Sequence, residues 1–307
     1  MKHAFLILAH TDPEQLKRLI SSLNSDSSLF YIHWDKKNES VLFESPIIKE
    51  LQSHSNIHFI TNRIKVYWGG TSIVYATIEL LKEAFKEQDI TYFHLLSGID
   101  YPLKPLQYIF RFFENNKNSY LTYIPQESNM RYFIERYYFY DNDYINPQNK
   151  KRSIKRTFVY QTLLFIQRCT WFLVQVLGIR IRKKINMQFY HGTQWFSLHR
   201  NAVTYIIKFL NENSWILKRF KYTAVCDETF FIMLLMNNSQ LKDSIINNDL
   251  RLRLYDGMPN RSGYILTEKD FELIKNSDAL FGRKFVSGKS EKLIELINNM
   301  FSIKFNS

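Results

Sequence analysis

Acidic side chains stand at three places in the sequence where carboxylates can do chemistry. Asp35 and Asp100 each come just past an apolar run, and the pair Asp227-Glu228 comes directly before an apolar helical stripe. A carboxylate at such a place can act as a general base. It can also simply cap a turn, or lie in the first turn of a helix, where the helix dipole favours negative charge. The residue types alone leave both interpretations open.

The elements that position these carboxylates follow from hydrophobic periodicity in the first 125 residues. Buried strands are predicted over residues 5–9, 29–34, 57–60 and 92–96. Helices are predicted over residues 13–23 and after Thr71-Ser72, which we expect to cap the second helix. Strands that alternate with helices predict an α/β fold with a mostly parallel sheet. Ligands of such sheets bind beyond the carboxyl ends of the strands, where Asp35 and Asp100 are expected.

The sequence lacks the signatures of several common sites. It contains no Walker-type phosphate loop, no GxGxxG after the first strand, no CxxC or HExxH pattern and no GxSxG motif. A dedicated zinc site is therefore not expected. The DxD pattern, which holds a divalent metal in many nucleotide-sugar enzymes, occurs once, as Asp141-Asn142-Asp143. Because it lies in a Tyr-rich polar segment and not after a buried strand, we interpret it as a loop.

The composition limits the class of protein. The chain has 307 residues and a formal net charge of +12, with 45% apolar and 16% aromatic residues and two cysteines. These values exclude intrinsic disorder and a disulfide scaffold. Basic proteins meet nucleic acid, anionic membranes or phosphorylated substrates, and no nucleic-acid-binding motif accompanies the charge. The N-terminal apolar run, residues 4–9, is shorter than a secretory h-region, so a cytoplasmic chain without a signal peptide is expected.

Residues 149–187 form a compositional break. An apolar stretch over residues 158–179 is flanked by basic clusters, and every charged side chain of the segment is Lys or Arg. Polar residues, Arg168 among them, interrupt the stretch, so a transmembrane helix is not expected. An amphipathic helix lying in the plane of an anionic membrane and a plain core helix are the two alternatives.

Six segments, taken in order, are similar to motifs of one enzyme family. They are IHWD at 32–35, WGGTS at 68–72, HLLSGIDYPLK at 94–104, GTQWFSL at 192–198, CDETFF at 226–231 and LFGRKF at 280–285. In this order the chain resembles the core-2/I-branching glycosyltransferases, which include β-1,6-N-acetylglucosaminyltransferases and peptide O-xylosyltransferases. The resemblance extends from about His3 to Phe285. The ordered set, more than any single motif, makes it specific.

The resemblance implies a GT-A type fold, with a Rossmann-like half that holds a UDP-sugar and a second half that holds the acceptor. It also implies transfer with inversion at the anomeric centre and without a metal ion or other cofactor. Glu228 matches the family's catalytic base. Arg261 and Lys284 match the two basic residues that bind the UDP phosphates in place of a metal, and Arg283 is close enough to share that role.

Further site residues follow from the same resemblance. Segments that line the nucleotide or donor-sugar cleft in the family contain His10, Asp35, Ser97, Gly98 and Asp100. Glu127 and Arg136 lie where the family carries acidic and basic acceptor-binding residues. For Trp195, stacking on a sugar ring and burial in the core are both open.

The predicted protein is a single GT-A domain over residues 1–307. Residues 1–125 form its nucleotide-sugar-binding half and residues 126–307 its acceptor and catalytic half, with 149–187 as a candidate membrane-docking insertion. The predicted reaction moves a sugar, GlcNAc in first place, from a UDP-sugar to a glycan or lipid-linked saccharide in surface polysaccharide synthesis. UDP-xylose, UDP-glucose and UDP-galactose are alternative donors, and a non-catalytic membrane-associated sugar-binding protein is the alternative function. Because the chain lacks the N-terminal anchor and dense cysteines of animal members, we expect a cytoplasmic enzyme, peripheral at the inner membrane face.

Overall fold

The computed structural model of the protein describes residues 1–125, 131–143, 154–254 and 263–305. Within these ranges the strands are β1 (Lys2–Ala9), β2 (Ser28–Trp34), β3 (Ile57–Phe59), β4 (Ile90–Ser97), β5 (Asp100–Pro102), β6 (Ser119–Pro125), β7 (Tyr190–His199), β8 (Ile245–Asn247), β9 (Arg251–Arg253) and β10 (Phe281–Arg283). The α-helices are α1 (Pro13–Ser22), α2 (Glu39–Glu44), α3 (Pro46–Gln52), α4 (Ser72–Phe85), α5 (Leu106–Phe113), α6 (Tyr132–Glu135), α7 (Ile154–Trp171), α8 (Arg200–Glu212), α9 (Trp215–Phe220), α10 (Phe230–Met236), α11 (Phe271–Lys275) and α12 (Glu291–Phe305).

Seven of these strands form one sheet in the order β3-β2-β1-β4-β7-β6-β8. The half that contains β3, β2, β1 and β4 is parallel throughout. In the other half, β7 is antiparallel to β4 and β6, and β8 is parallel to β6. The predicted fold class, an α/β fold with a mostly parallel sheet, is confirmed. The four predicted strands all lie in the parallel half.

Helices cover both faces of the sheet because its central strands are apolar on both sides. β1 and β4 are buried along nearly their whole length, which is the pattern of strands covered on both faces. Along β1, Phe5 joins the cluster that contains Leu16 and Leu19 of α1, whereas Leu6 joins the cluster that contains Val74 of α4. The alternation of side chains along a strand thus divides the core into two layers.

The N-terminus of α4 is capped by a residue that is distant in the sequence. Thr71 occupies the N-cap position, as predicted, but its side chain makes no capping hydrogen bond. The Asp141 carboxylate accepts instead from the backbone N–H groups of Thr71 at 2.8 Å and Ser72 at 3.0 Å. Asp143 accepts from the Tyr67 hydroxyl at 3.0 Å. The DxD segment is a loop, as predicted, and one of its carboxylates satisfies the positive end of α4.

A small second sheet in the order β5-β10-β9 brings the C-terminal part of the chain to the main sheet. In its register Arg283 of β10 lies opposite Asp100 of β5 and opposite Arg253 of β9. Tyr101 of β5 and Leu103, just after it, belong to the same apolar cluster as Leu293 and Ile297 of α12. The basic residues near the end of the chain therefore lie beside the turn that follows β4.

The basic and apolar segment contains α7, followed by a π-helical turn over Phe172–Val176. Residues 149–153, which the prediction includes, lie outside the described ranges. Among the described residues, no helix is long and apolar enough to cross a membrane. After the turn the chain is anchored by the buried guanidinium of Arg182. It donates to the backbone carbonyls of Ile134, Arg136, Arg219 and Lys221.

Candidate functional site

The carboxyl ends of β1, β2 and β4 meet at one edge of the main sheet. The backbone N–H of Asp35, just after β2, donates to the carbonyl of Ala9 at 2.8 Å, and that of Gly98, just after β4, donates to the carbonyl of Leu8 at 3.0 Å. These bonds extend the parallel ladder to the first residues of the loops. The predicted donor-site residues that lie at this edge are His10, Asp35, Ser97, Gly98 and Asp100.

The carboxylate of Asp35 is buried and organises the turn after β2. Its Oδ1 accepts from the backbone N–H groups of Lys37 at 2.9 Å and Val66 at 3.3 Å. Its Oδ2 lies 3.5 Å from the Lys37 Nζ, which also lies over the Tyr67 ring, 4.8 Å from the centroid. The capping interpretation of Asp35 therefore describes part of its role. Lys37 adds a positive charge that the sequence analysis missed.

Asp100 is the buried partner of one of the predicted phosphate-binding residues. Its Oδ2 accepts from the backbone N–H of Ser97 at 2.8 Å, and its Oδ1 accepts from the Arg283 guanidinium at 3.0 Å. Burial raises the pKa of the Asp100 carboxyl, and the positive charge of Arg283 opposes this rise. Asp100 is thus more than a turn cap, because it anchors a cation at the edge of the sheet.

Arg283 and Lys284 place two positive charges at this edge. The Arg283 guanidinium lies over the indole of Trp195, 4.5 Å from the ring centroid, while it pairs with Asp100. Two partners fix the planar group in one position. Desolvation and the charge of Arg283 lower the pKa of the half-buried Lys284, and Asp100 partly offsets this effect. None of the ion pairs found among the described residues involves Lys284.

His10, just after β1, is influenced by charged residues of the turn after β2 and of the end of β10. Desolvation lowers the pKa of its imidazole, Asp35 opposes the fall, and Arg283, Lys37 and Lys284 add to it. Four charged residues therefore lie close enough to this ring to act on it electrostatically. The residue keeps solvent contact, yet the protein atoms around the ring are dense enough to desolvate it. At neutral pH the imidazole is therefore uncharged and can both donate and accept a hydrogen bond.

Glu228, the predicted base, ends a short 3₁₀ helix, Cys226–Glu228. Before it, Val225 adopts a left-handed backbone conformation with φ of 49° and donates its N–H to the carbonyl of Gly69 at 2.8 Å. Behind the turn follows α10, all of whose residues are buried. The acidic pair thus stands directly before an apolar helix, as predicted, and the WGG motif holds the turn from the other side.

Asp227 has a carboxyl whose surroundings the sequence did not reveal. Its Oδ1 is buried and has no hydrogen-bond partner among the described residues. Burial raises the pKa of this carboxyl to about 6, although backbone hydrogen bonds at Asp227 and Glu228 oppose the rise. Such a group gains or loses a proton near neutral pH, which is a property found at many catalytic sites. The family resemblance implies an acid–base role for Glu228 alone.

β7 connects the turn of Glu228 with the cations. Trp195 is 7% exposed and supports Arg283, so its position corresponds to the core alternative. The next residue, Phe196, packs edge-on against Phe231 of α10, with ring centroids 5.7 Å apart. Successive side chains of a strand point to opposite faces. β7 therefore has Arg283 on one side and the helix that backs the predicted base on the other.

Arg136, predicted to contact the acceptor, is buried against aromatic rings. Its guanidinium lies 4.2 Å from the ring centroid of Tyr132 and 5.7 Å from that of Tyr138. Its Nε is buried and has no hydrogen-bond partner in the part of the chain that the structure describes. Arg136 therefore has a defined place in the segment before α7, and its role toward an acceptor stays a prediction.

Two of the predicted site residues, Glu127 and Arg261, lie outside the described ranges. The described chain resumes at Gly263, where an added Cβ would lie 3.2 Å from the Lys284 Cε. Glycine at this position lets the backbone pass close to the Lys284 side chain.

Two polar networks that the sequence analysis missed hold the parts of the site together. Asp12, at the N-cap of α1, accepts from the backbone N–H of Ser287 at 2.8 Å and from its hydroxyl at 2.6 Å. The buried Arg251 donates to the backbone carbonyls of Leu95 at 3.1 Å and Phe196 at 2.7 Å, and so links the two sheets. An Asp before a Pro is a recognisable N-cap signal, but its partner far along the chain is not.

The carboxyl edge of the sheet carries two cations, and an acidic pair stands directly before α10, which packs against β7. Such an arrangement is typical of an enzyme that transfers a group from an anionic donor. The family model described as Core-2/I-Branching enzyme matches residues 3–275. The chain therefore belongs to this family.

The chain is also similar to curated xylosyltransferases. The xylosyltransferase of Ciona intestinalis is 24% identical over 247 residues, which cover 78% of this chain and 25% of that protein. Xylosyltransferase 2 of Rattus norvegicus is 23% identical over 314 residues, which cover 96% and 33%. The chain thus spans about a quarter to a third of the length of these relatives. Among solved structures, apo mouse xyloside xylosyltransferase 1 aligns with a TM-score of 0.40 at 10% identity, covering 92% of this chain and 96% of that chain.

Proposed function

We propose that the protein is an inverting, metal-independent glycosyltransferase that moves a sugar from a UDP-sugar to a hydroxyl group of a glycan acceptor. The observation that carries the proposal is the pair Arg283 and Lys284 at the ligand-binding edge of the parallel sheet, with Arg283 fixed by Asp100 and Trp195. A diphosphate fits such a pair, because guanidinium binds phosphate oxygens in a fork and ammonium adds a compact charge. Membership of the family supports the same reaction class.

In the proposed reaction Glu228 takes the proton of the acceptor hydroxyl. The acceptor oxygen attacks the anomeric carbon from the face opposite the diphosphate, the bond from that carbon to the phosphate oxygen breaks, and its electron pair leaves with UDP. Because attack and departure occur on opposite faces, an α-linked donor gives a β-linked product. Lys284 and Arg283, with Arg261 as the further cation that the resemblance implies, stabilise the charge on the departing UDP.

Fixed cations support the metal-independent part of the proposal. Asp100 and Trp195 hold Arg283 before any ligand binds, so its charge needs no reorganisation during the reaction. In the described ranges, no three side chains of His, Cys, Asp or Glu come together in a way that could hold a metal ion. We assign the stabilisation of the negative charge on the departing UDP to the cations of this chain.

The proposed reaction also needs a particular donor sugar and a particular acceptor. The family resemblance favours UDP-GlcNAc, whereas the names of the xylosyltransferase relatives make UDP-xylose the second candidate. UDP-glucose and UDP-galactose are further alternatives. We assign the acceptor to glycans or lipid-linked saccharides of surface polysaccharide synthesis, with contact to an anionic membrane. The competing function is that of a non-catalytic membrane-associated sugar-binding protein.

Release of UDP from a panel of UDP-sugars tests the proposal, since hydrolysis of the donor needs no known acceptor. We expect release to be fastest with UDP-GlcNAc and unchanged by EDTA. Fastest release with UDP-xylose would assign the donor to the second candidate, and strict dependence on manganese would contradict the metal-independent mechanism. If UDP-sugars raise the melting temperature but none is hydrolysed, the non-catalytic function holds instead.

A further inference from the structure

The helical arm, defined here as residues 154–179, exposes an unusual amount of apolar surface. Of the 17 large apolar side chains that are exposed among the described residues, eight lie on this arm. They are Phe158, Phe165, Ile166, Trp171, Phe172, Val176, Leu177 and Ile179. A helix on a protein surface normally presents polar residues to water, and a continuous apolar patch marks a surface that another body covers.

Three aromatic residues form a stripe along the outer face of the helical arm. Phe158, Phe165 and Phe172 follow one another at intervals of seven residues, which places them on one side of a helix. Their exposed fractions are 75%, 67% and 48%. At Phe172 the surface forms a shallow, mainly apolar groove of about 660 Å³. The groove is lined by Arg168, Trp171, Phe172 and Leu173.

The charge around this stripe indicates whether a second protein copy or a lipid surface can cover it. Arg168, Arg180, Lys183 and Lys184 are exposed, and residues 149–187 contain no Asp or Glu. The Lys183 ammonium lies 5.5 Å from the ring centroid of Trp215, which is itself partly exposed. A second copy of the same face would bring like charges together. Lipid with anionic headgroups offers apolar chains for the stripe and negative charge for the rim.

We propose that the helical arm lies in the plane of an anionic lipid surface, with the stripe of Phe158, Phe165 and Phe172 in the acyl boundary and the exposed Arg and Lys residues at the headgroups. The exposed aromatic residues of the arm and the single sign of charge around it suit a lipid surface with anionic headgroups. Docking through the arm needs no transmembrane helix.

The inner face of the helical arm leads to the base turn through three contacts. The Gln167 side chain of the arm lies close enough to Tyr140 to oppose the rise in the pKa of its hydroxyl. The Tyr140 ring lies 3.1 Å from the Cβ that Gly69 would carry, and the Gly69 carbonyl accepts from the N–H of Val225 at the start of the turn. A lipid-docked arm would therefore hold the base turn close to the lipid surface. The docking specifies the membrane contact of the proposed function, and the consequence that the acceptor is lipid-linked rests on the proposed transfer reaction.

Vesicle flotation with the full chain tests the docking. We expect binding to vesicles of phosphatidylcholine with phosphatidylglycerol, little binding to phosphatidylcholine alone, and loss of binding as salt is raised. The double variant Phe165→Glu, Phe172→Glu is expected to bind the anionic vesicles at least about tenfold more weakly, because charge in the acyl boundary is unfavourable. Phe43→Glu is the matched control, since Phe43 is 61% exposed on α2, outside the arm, and its binding should equal that of the wild type.

Two results would overturn the docking. One is equal binding of the double variant and the wild type with both proteins folded, as judged by circular dichroism. The other is a dimer in light scattering that the double variant abolishes, since a second copy would then cover the stripe. Release of UDP without vesicles keeps this test separate from the proposed function: a chain that floats with lipid but hydrolyses no donor contradicts the function alone, and the reverse contradicts the docking alone.

Discussion

The cation side of the site and the base turn, residues 225–229, are built in opposite ways. Arg283 is held by polar partners, the buried carboxylate of Asp100 and the face of Trp195. The base turn is backed by the seven buried residues of α10, and the Oδ1 of Asp227 is buried there without a hydrogen-bond partner among the described residues. One side matches charge with opposite charge, and the other places a buried carboxyl directly before an apolar helix.

The difference shows what each side can do in a group transfer. Burial raises the pKa of both Asp100 and Asp227, but only at Asp100 does a neighbouring arginine oppose the rise. A charge that is matched by a fixed partner stays where it is, which suits the binding of a diphosphate. A carboxyl in apolar surroundings holds its proton more tightly, which suits proton transfer near neutral pH. Four predictions test this division of roles.

The largest effect is expected from Glu228→Gln on the base turn. Removing the general base should lower transfer by about 10²- to 10⁴-fold, while UDP binding measured by calorimetry stays close to wild type because the cation side is unchanged. Glu83→Gln, at a surface ion pair with Lys86 on α4, is the control. Transfer by Glu228→Gln at about a tenth of wild type or more would show that another group is the base, with Asp227 the first candidate.

The next effect is expected from Lys284→Ala on the cation side. Losing a charged contact to phosphate should weaken UDP binding by roughly 10- to 100-fold, in line with 1.5–3 kcal/mol for a charged hydrogen bond. Lys289→Ala removes an exposed lysine of the same segment and should leave UDP binding unchanged. Calorimetric titration with UDP measures both. Equal affinity of the two variants would mean that the leaving group is bound elsewhere.

A smaller effect is expected from Asp100→Asn, which removes the negative charge that pairs with Arg283. The amide can still accept from the Ser97 N–H, but its NH₂ group would face the guanidinium of Arg283, so we expect the donor KM to rise about 3- to 10-fold with a smaller change in kcat. In an Arg283→Ala background the same change should have no further effect, because the anchored group is gone. Additive effects in the double variant would show that Asp100 acts without Arg283.

The sequence predicted the parallel half of the sheet and the edge at which the site lies. Periodicity was sufficient because the strands of this half are continuous apolar runs, and parallel pairing places Asp35 and Asp100 at the same edge. What was missed are contacts between residues far apart in the chain. Arg283 and Asp100 are 183 positions apart, and Ser287 and Asp12 are 275 apart. No local pattern encodes such pairs.

Burial explains the other differences between the predicted and the observed site. For Trp195 the sequence leaves sugar stacking and burial in the core open. In the structure its side chain is 7% exposed and lies against Arg283, which corresponds to the core alternative. The cap of α4 was assigned to Thr71 from its type, whereas the tertiary fold supplies the carboxylate of Asp141. The raised pKa of Asp227 depends on desolvation, which the sequence does not show. The assignment of Glu228 as the base came from family resemblance and stays a prediction.

The fourth prediction concerns stability, not activity, and its dependence on pH at the base turn. The folded pKa of Asp227 is about 6, above the value of roughly 3.9 expected in an unfolded chain. The buried carboxyl is therefore tolerated while protonated, and the free energy of unfolding should fall as the pH rises from about 4 through about 6, by up to about 3 kcal/mol. Asp227→Asn cannot ionise, so its stability should lack this decrease.

Comparing the wild type with Asp227→Asn separates the effect of Asp227 on the free energy of unfolding from that of other groups. Some of those groups change stability with pH in the opposite direction. Burial lowers the pKa of His3 to about 3 and that of His94 well below its usual value, so both proteins lose stability as the pH falls below about 6.5. Urea unfolding at several pH values should show a difference in stability between wild type and Asp227→Asn that grows as the pH rises, with exposed Asp243→Asn as the control. A constant difference would mean that Asp227 is matched by charge as Asp100 is, and the contrast between the two sides of the site would then be lost.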